Sequence, residues 1–326
     1  MQTHSMIRFR ILPPVLALLF FAFACQKEET TSLAVFREIA SPVADDFSSI
    51  WMLDSLQGVA VGGKAWERGF ILSTGDGGQT WTLDTLLKRK MECVMFDAGG
   101  QSYVCGQDFA LVRPIGMGSW LEFRLNYQWN KGCYFPDDRH GVMVNGASYR
   151  LGQALIFGND AFWKLDTTQE FPNALADVWF SDSLSVHAVG MGWVMRSADA
   201  GRSWKRLDIT GDFFQAVQFP TPSIGYICGS GGTILKTSNG GQSWEEIRKG
   251  GSMGKRNQPF RALWFVNAEE GYVVGDSGIF WQTENGGATW QQVLQASEDV
   301  DFTDVFALGR QGWAVAKGGR IFYFEK

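Results

Sequence analysis

Four side chains able to act as acids, cation ligands or turn formers recur in one local setting. The copies read Thr74-x-Asp76-x-Gly78-x-Thr80-Trp81, Ser197-x-Asp199-x-Gly201-x-Ser203-Trp204, Thr237-x-Asn239-x-Gly241-x-Ser243-Trp244 and Thr283-x-Asn285-x-Gly287-x-Thr289-Trp290. A carboxylate at the third position could serve as a general acid or hold a cation. Two of the four copies carry Asn, a poor acid that bonds its own downstream backbone as well as Asp does. The pattern therefore reads as a hairpin lock. The glycine supplies a positive φ. The Ser and Thr hydroxyls bridge the hairpin ends, and the tryptophan covers the turn and fills the wedge between neighbouring sheets.

Other reactive side chains are sparse. His4, His140 and His187 show no spacing that brings a nucleophile, a base and an orienting acid together. Cys93, Cys105, Cys133 and Cys228 lack any CxxC pair, so nothing in the spacing points to zinc, another metal or a cofactor. Cys93 and Cys105 fall on adjacent strands of one expected hairpin about Ala98–Gly100. They read either as a disulfide, which an envelope compartment permits, or as two buried thiols. Cys133 aligns with Cys93 one repeat later, and Cys228 aligns with Cys105; both read as small core residues.

The elements that would position these residues follow from a repeat. The turn tryptophans, with weaker echoes at Ser119-Trp120 and Phe162-Trp163, fall at 81, 120, 163, 204, 244 and 290. A period near 40 with a turn motif in each copy marks radial repetition of small antiparallel sheets. Within each copy come an apolar strand (Phe214–Phe219), a strand ending in glycine (Gly225–Gly229), a short third strand (Thr233–Lys236), the turn, and a fourth strand opened by its tryptophan. The first two strands align without gaps from Phe47, Met91, Lys131, Leu175, Phe214 and Phe260, with a seventh copy from Phe302. That last copy ends at a third strand, Ile321–Phe324. The strand Leu33–Ile39 has nothing upstream to pair with. The expectation is an all-β, seven-bladed β-propeller over residues 33–326, closed by this N-terminal strand as the fourth strand of the last blade. Closure would remove the open edges.

The N-terminus carries a second pattern. Met1–Arg10 is basic and Ile11–Ala24 is an apolar run too short to span a bilayer but suited to a signal peptide. Ala22-Phe23-Ala24-Cys25 resembles a bacterial lipobox, which implies cleavage after residue 24 and lipid on Cys25. Lys27-Glu28-Glu29, within a tether of residues 25–32, resembles the surface-export signal of Bacteroidota lipoproteins. The expected location is the cell envelope, on an outer-membrane lipid anchor, facing either side. Without Arg8 and Arg10 the formal charge of −5 becomes −7, which argues against nucleic acid as a partner.

The turn signature resembles the Asp-box, or BNR repeat. Gly225–Trp244 and Gly271–Trp290 resemble the photosystem II assembly/stability factor-like propellers, and the likeness spans roughly residues 33–326. It implies the propeller fold. Members in photosynthetic organisms are assembly factors that hold membrane-protein subunits, and many other relatives are lipoproteins. Sialidases share the Asp-box, but they need an arginine clamp and an Arg-Ile-Pro segment. Phe36-Arg37-Glu38-Ile39 departs from that segment, so a glycoside hydrolase ranks below a carbohydrate-binding propeller, and both rank below a non-catalytic scaffold for an envelope protein.

Loops on the rim opposite the Asp-boxes are rich in cations. They carry Lys64, Trp66 and Arg68; Lys88, Arg89 and Lys90; Arg248, Lys249, Lys255 and Arg256; and Lys317 and Arg320. Ring closure would make these one basic sector on an acidic protein, a candidate docking site for an acidic partner.

Overall fold

The computed structural model describes residues 30–146, 151–158, 165–250 and 259–326. The leader of residues 1–24, Cys25, Lys27, Glu28, Glu29, the echo at Phe162-Trp163, and Lys255 and Arg256 lie outside them.

Strands β1 (Thr30–Thr31) and β2 (Val35–Ile39) come first. Then β3 (Phe47–Met52), β4 (Gly58–Lys64), β5 (Arg68–Thr74) and β6 (Thr82–Leu87) form a four-stranded sheet. A six-stranded sheet follows, built from β7 (Met91–Phe96), β8 (Ser102–Arg113), β9 (Leu121–Tyr134), β10 (Gly141–Asn145), β11 (Gly152–Phe157) and β12 (Leu165–Phe171). Two more four-stranded sheets are β13 (Leu175–Phe180), β14 (Val186–Gly190), β15 (Trp193–Ser197), β16 (Lys205–Arg206), and β17 (Phe214–Gln218), β18 (Gly225–Gly229), β19 (Ile234–Thr237), β20 (Glu245–Arg248). Strands β21 (Phe260–Phe265), β22 (Gly271–Gly275), β23 (Phe280–Thr283) and β24 (Gln291–Val293) take β1 in parallel on their outer edge. Finally β25 (Phe302–Leu308), β26 (Gln311–Ala316) and β27 (Arg320–Glu325) form a sheet with β2. One 3₁₀ turn, Lys317–Gly319, joins β26 to β27. No helix among the described residues is long and apolar enough to cross a membrane.

The all-β propeller architecture is present, but the expected seven separate four-stranded blades are not. Among the described residues the strands form six sheets, of which five stand as separate blades. The second and third repeats share the six-stranded sheet. The cause is local. β9 runs unbroken from Leu121 to Tyr134, with no proline and no glycine before Gly132, so the outer strand of one repeat continues into the inner strand of the next. Likewise β8 absorbs the expected second and third strands of its repeat, turning at Asp108, whose φ is +63°.

The N-terminal strand lies where the last sheet has room for it. β2 pairs antiparallel with β27, Val35 opposite Glu325 and Ile39 opposite Ile321. The two ends of the chain thus share one sheet and one core, in which Phe36 stacks on Phe322.

A single irregularity repeats in the first strands. The pairings β3–β4, β7–β8, β13–β14, β17–β18, β21–β22 and β25–β26 each shift register between the first and third residue of the first strand. A bulge bends its strand and re-aims a side chain. The third residues are Ser49, Cys93, Asp177, Ala216, Ala262 and Asp304. The first strands of neighbouring sheets touch around the axis, so what these residues carry decides how sheet meets sheet.

Candidate functional site

The Asp-boxes are hairpin locks. In each, the first hydroxyl (Thr74, Ser197, Thr237, Thr283) accepts from the glycine N–H four residues on, at 2.9–3.0 Å. The same hydroxyl donates to Oδ1 of Asp76, Asp199, Asn239 or Asn285. That oxygen also accepts the backbone N–H of Thr80, Ser203, Ser243 or Thr289 at 2.8–3.0 Å. Only the last bond differs between copies. Asp76 and Asp199 accept the Thr80 and Ser203 hydroxyls at 2.6 and 2.5 Å, whereas the Asn239 and Asn285 amides donate to Ser243 and Thr289 at 2.8 Å. A hydroxyl can donate or accept, so both residue types close the turn. The Thr80 hydroxyl and N–H hold the Asp76 carboxyl down at about 2, as an ion.

The box glycines also seat each turn on a neighbouring sheet. A Cβ at Gly78 would meet Trp313, and one at Gly241 would meet His187 at 2.1 Å. Trp81 is buried, and Trp204, Trp244 and Trp290 are partly buried. Their indole N–H groups are buried without an acceptor.

The axis is closed by aromatic rings and stitched by polar side chains. Trp51, Trp179, Trp264 and Phe306, from four first strands, pack with centroids 4.3–6.0 Å apart. Around them each side chain bridges to the next strand. Asp304 accepts from Ile50 N at 2.9 Å, Ser49 from Val94 N at 3.3 Å and Asp177 from Val217 N at 2.9 Å. Gln218 exchanges two bonds with the Phe265 backbone, and Trp264 Nε1 donates to the Ala307 carbonyl at 2.8 Å. Burial pushes the Asp177 and Asp304 carboxyls up, to about 8 and about 7, against the pull of these N–H donors. Sequence reading missed this ring. Its signal was a hydrogen-bonding side chain at the third or fifth place of several first strands, Ser49, Asp177 and Asp304 at the third and Gln218 and Trp264 at the fifth.

The predicted cations among the described residues are interleaved with acids. Arg320 forks onto Glu38 and reaches Asp299, and Lys317 pairs with Asp301. Gly318 N–H reaches Asp46, next to Asp45, which takes both arms of Arg68. Lys64 pairs with Glu67, Arg89 with Asp108, and Glu92 with both Lys90 and Lys131. Arg248 turns inward over the Phe260 and Trp281 rings, 5.0 and 4.7 Å from their centroids. The partners lie 19–23 residues from Arg68 and Arg89, on other connections, so the sequence pattern showed the cations without their counter-charges.

One residue stands out on this rim. Trp66 is half-exposed and sits at φ +64°, a conformation rare for a bulky side chain. Its N–H donates to buried Gln107 at 2.7 Å and its carbonyl accepts from Arg89 at 3.5 Å. Its ring meets Trp129 edge-on at 5.7 Å, and Trp129 in turn donates to Glu92 and lies under Lys131. On the opposite face, a groove of about 620 Å³ runs between the first and second repeats, past Leu53, Phe96, Arg113, Ile115 and Met117.

Residues 206–322 match the family model described as photosynthesis system II assembly factor YCF48. Over these residues the repeats resemble those of the photosystem II assembly factor propellers. The YCF48 likeness extends in fold beyond the matched repeats. A solved structure titled "YCF48 bound to D1 peptide" aligns with TM-score 0.70 at 17% identity, covering 92% of this chain and all of that one. YCF48 from Cyanidioschyzon merolae aligns with TM-score 0.68 at 14% identity, over 90% of this chain and 99% of that one. The WD40 propeller domain of Doa1 reaches 0.67 at 10% identity, over 92% and 96%. A propeller of another repeat type scores almost as well, so these alignments speak to fold. No curated protein matches the sequence.

Proposed function

We propose that this YCF48-like propeller is a non-catalytic scaffold that holds a protein partner and aids assembly or stability of an envelope membrane-protein complex. The observation that carries the reading is Trp66. Its backbone is held in a strained conformation that presents a large ring to solvent, among Lys64, Arg68, Arg89 and Lys90. Strain and exposed aromatics mark binding surfaces more than cores. The solved YCF48 with its D1 peptide supports a peptide segment as the kind of ligand. The aromatic rings packed at the axis and the bonding of Asp177 and Asp304 to backbone N–H groups favour a scaffold over a glycosidase.

In this reading lipid on Cys25 is the anchor, and Lys27, Glu28 and Glu29 direct the protein to the cell surface. The partner docks on the rim of Lys64, Trp66, Arg68, Lys88, Arg89, Lys90 and Arg320; Lys255 and Arg256, which the sequence assigned to the same sector, lie outside the described residues. Because acids interleave with these cations, the ring supplies most of the contact and the cations orient it. The test is crosslinking and affinity purification from detergent-solubilised envelope. One dominant membrane-protein partner, lost with Trp66→Ala, is expected. A glycan-array hit with no protein partner would replace this reading with the carbohydrate-binding one.

A further inference from the structure

The joined six-stranded sheet builds something that separate blades would not. Cys93 on β7, Cys105 on β8 and Cys133 on β9 bring their sulfurs within 4.8 Å of one another. Cys93 and Cys105 are cross-strand partners, and the bulge after Met91 lies beside them. Cys133 Sγ lies 3.5 Å from Cys93 Sγ, and Cys93 Sγ also points at the Cys133 carbonyl, 3.8 Å away. Cys105 and Cys133 are buried, while Cys93 is partly exposed. All four cysteines of the described residues are free thiols.

We propose that Cys93, Cys105 and Cys133 form a trithiolate site for a divalent thiophilic cation of the zinc class. Three sulfurs each bound at ~2.3 Å to one Zn²⁺ lie roughly 4 Å apart, the spacing already present before any ion arrives. A disulfide needs sulfurs about 2 Å apart and would use two of the three.

The surroundings fit the charge. Glu92 lies between Lys90 and Lys131, 3.4 Å from each amine, so the trio carries one net positive charge next to the site. Lys131 is two residues from Cys133 in sequence. One positive charge and a divalent cation together offset three thiolates. Binding replaces three S–H bonds with three metal–sulfur bonds and releases the three protons to solvent, with no change in oxidation state. Spacing in the sequence hides the site because its ligands lie 12 and 28 residues apart without a CxxC pair. The fold supplies the proximity instead.

The experiment uses the full chain, reduced and purified without air. Zn²⁺ is titrated against a chromophoric chelator, and Co²⁺ serves as the spectroscopic probe. The expected result is one equivalent of either ion, with sulfur-to-cobalt charge-transfer bands and protection of three thiols from alkylation. Cys105→Ala or Cys133→Ala should weaken binding on the order of 100-fold or more, whereas Cys228→Ala, whose thiol lies in another sheet, should leave it intact. Wild-type protein that binds less than half an equivalent of Zn²⁺ while giving a native circular-dichroism spectrum overturns the proposal, and needs no variant to do so. So do cobalt–thiolate bands that survive the Cys105→Ala, Cys133→Ala double substitution, or alkylation that Zn²⁺ does not slow.

Discussion

Trp313 Nε1 donates to the carbonyl of Gly77 at 3.0 Å, across 236 residues of chain. The bond ties the last sheet to the Asp-box of the first, and a Cβ on the adjacent Gly78 would sit 2.4 Å from that nitrogen. The ring is therefore closed twice, by β2 beside β27 and by an indole latched into the first turn.

Trp313 is fully buried, so Trp313→Ala should destabilise the protein by about 3–5 kcal/mol through lost packing and the cavity left behind. Trp313→Phe keeps most of the volume and loses the hydrogen bond, which should cost about 1 kcal/mol. Urea unfolding of the two variants checks the order. Equal losses would mean that the latch, and not the packing, dominates closure.

Removing a lock should weaken its hairpin. Asp76→Ala should cost about 1–2 kcal/mol, the scale of hydrogen bonds left unmade. Asp76→Asn should cost far less, because Asn239 and Asn285 already close the same turn. The pH dependence separates the pair further. The Asp76 and Asp199 carboxyls are held below the usual carboxylate range, so their contribution is present above pH ~4 and is lost as pH falls through the native values. Asp76→Asn should flatten that acid limb in melts from pH 5 to 2.

Asp304 works in the opposite sense. Its native carboxyl is pushed up to about 7 by burial, whereas the unfolded group titrates near 4. Across that window the unfolded state loses its proton first, so stability falls as pH rises from ~4 to about 7. Asp304→Asn keeps an oxygen for Ile50 N–H and should remove part of the slope. A wild-type melting temperature that rises across this range would contradict the assignment.

Anchoring is checked by fractionation. Cys25→Ser should move the protein from the membrane pellet to the soluble fraction, since acyl chains on Cys25 are the anchor the sequence offers. Changing Lys27, Glu28 and Glu29 to Ala should leave lipidation intact and remove protease accessibility on whole cells. Palmitate labelling that survives Cys25→Ser would refute the lipobox reading.

How much was legible in the sequence depends on the distance over which each feature acts. The Asp-box is complete within eight residues, and the backbone N–H that its Asp or Asn accepts was implied by its residue types. Six first strands begin at the residues the alignment named, while the one expected from Lys131 lies inside β9, and the pairing of Val35–Ile39 with the last strand followed from an unpaired strand near each end. Blade count was not legible around Leu121–Tyr134, where no turn residue marks the boundary that the period demanded. The acids opposite the rim cations, the axial bridges from Asp177 and Asp304, and the thiol cluster all join residues that only ring closure and sheet fusion bring together. The axial bridges left polar residues inside largely apolar strands, the acids paired with Arg68, Arg89 and Arg320 lie far along the chain from them, and the cysteines read locally as small core residues.

The central claim is that the rim around Trp66 holds a protein partner. A photo-crosslinking residue placed at position 66, and at position 115 in the groove of the opposite face, tests it in detergent-solubilised envelope at low and high salt. The account predicts one dominant membrane-protein adduct from position 66, reduced when Lys88, Arg89, Lys90, Lys255 and Arg256 are reversed to Glu, most clearly at low salt where charges are least screened. Arg89 and Lys90 pair with the largely buried carboxylates of Asp108 and Glu92, so the charge-reversed protein should melt below wild type, and recovery is compared at a temperature where both are folded. An adduct from position 115 alone, or identical recovery from wild type and the charge-reversed protein at every salt concentration, would contradict it.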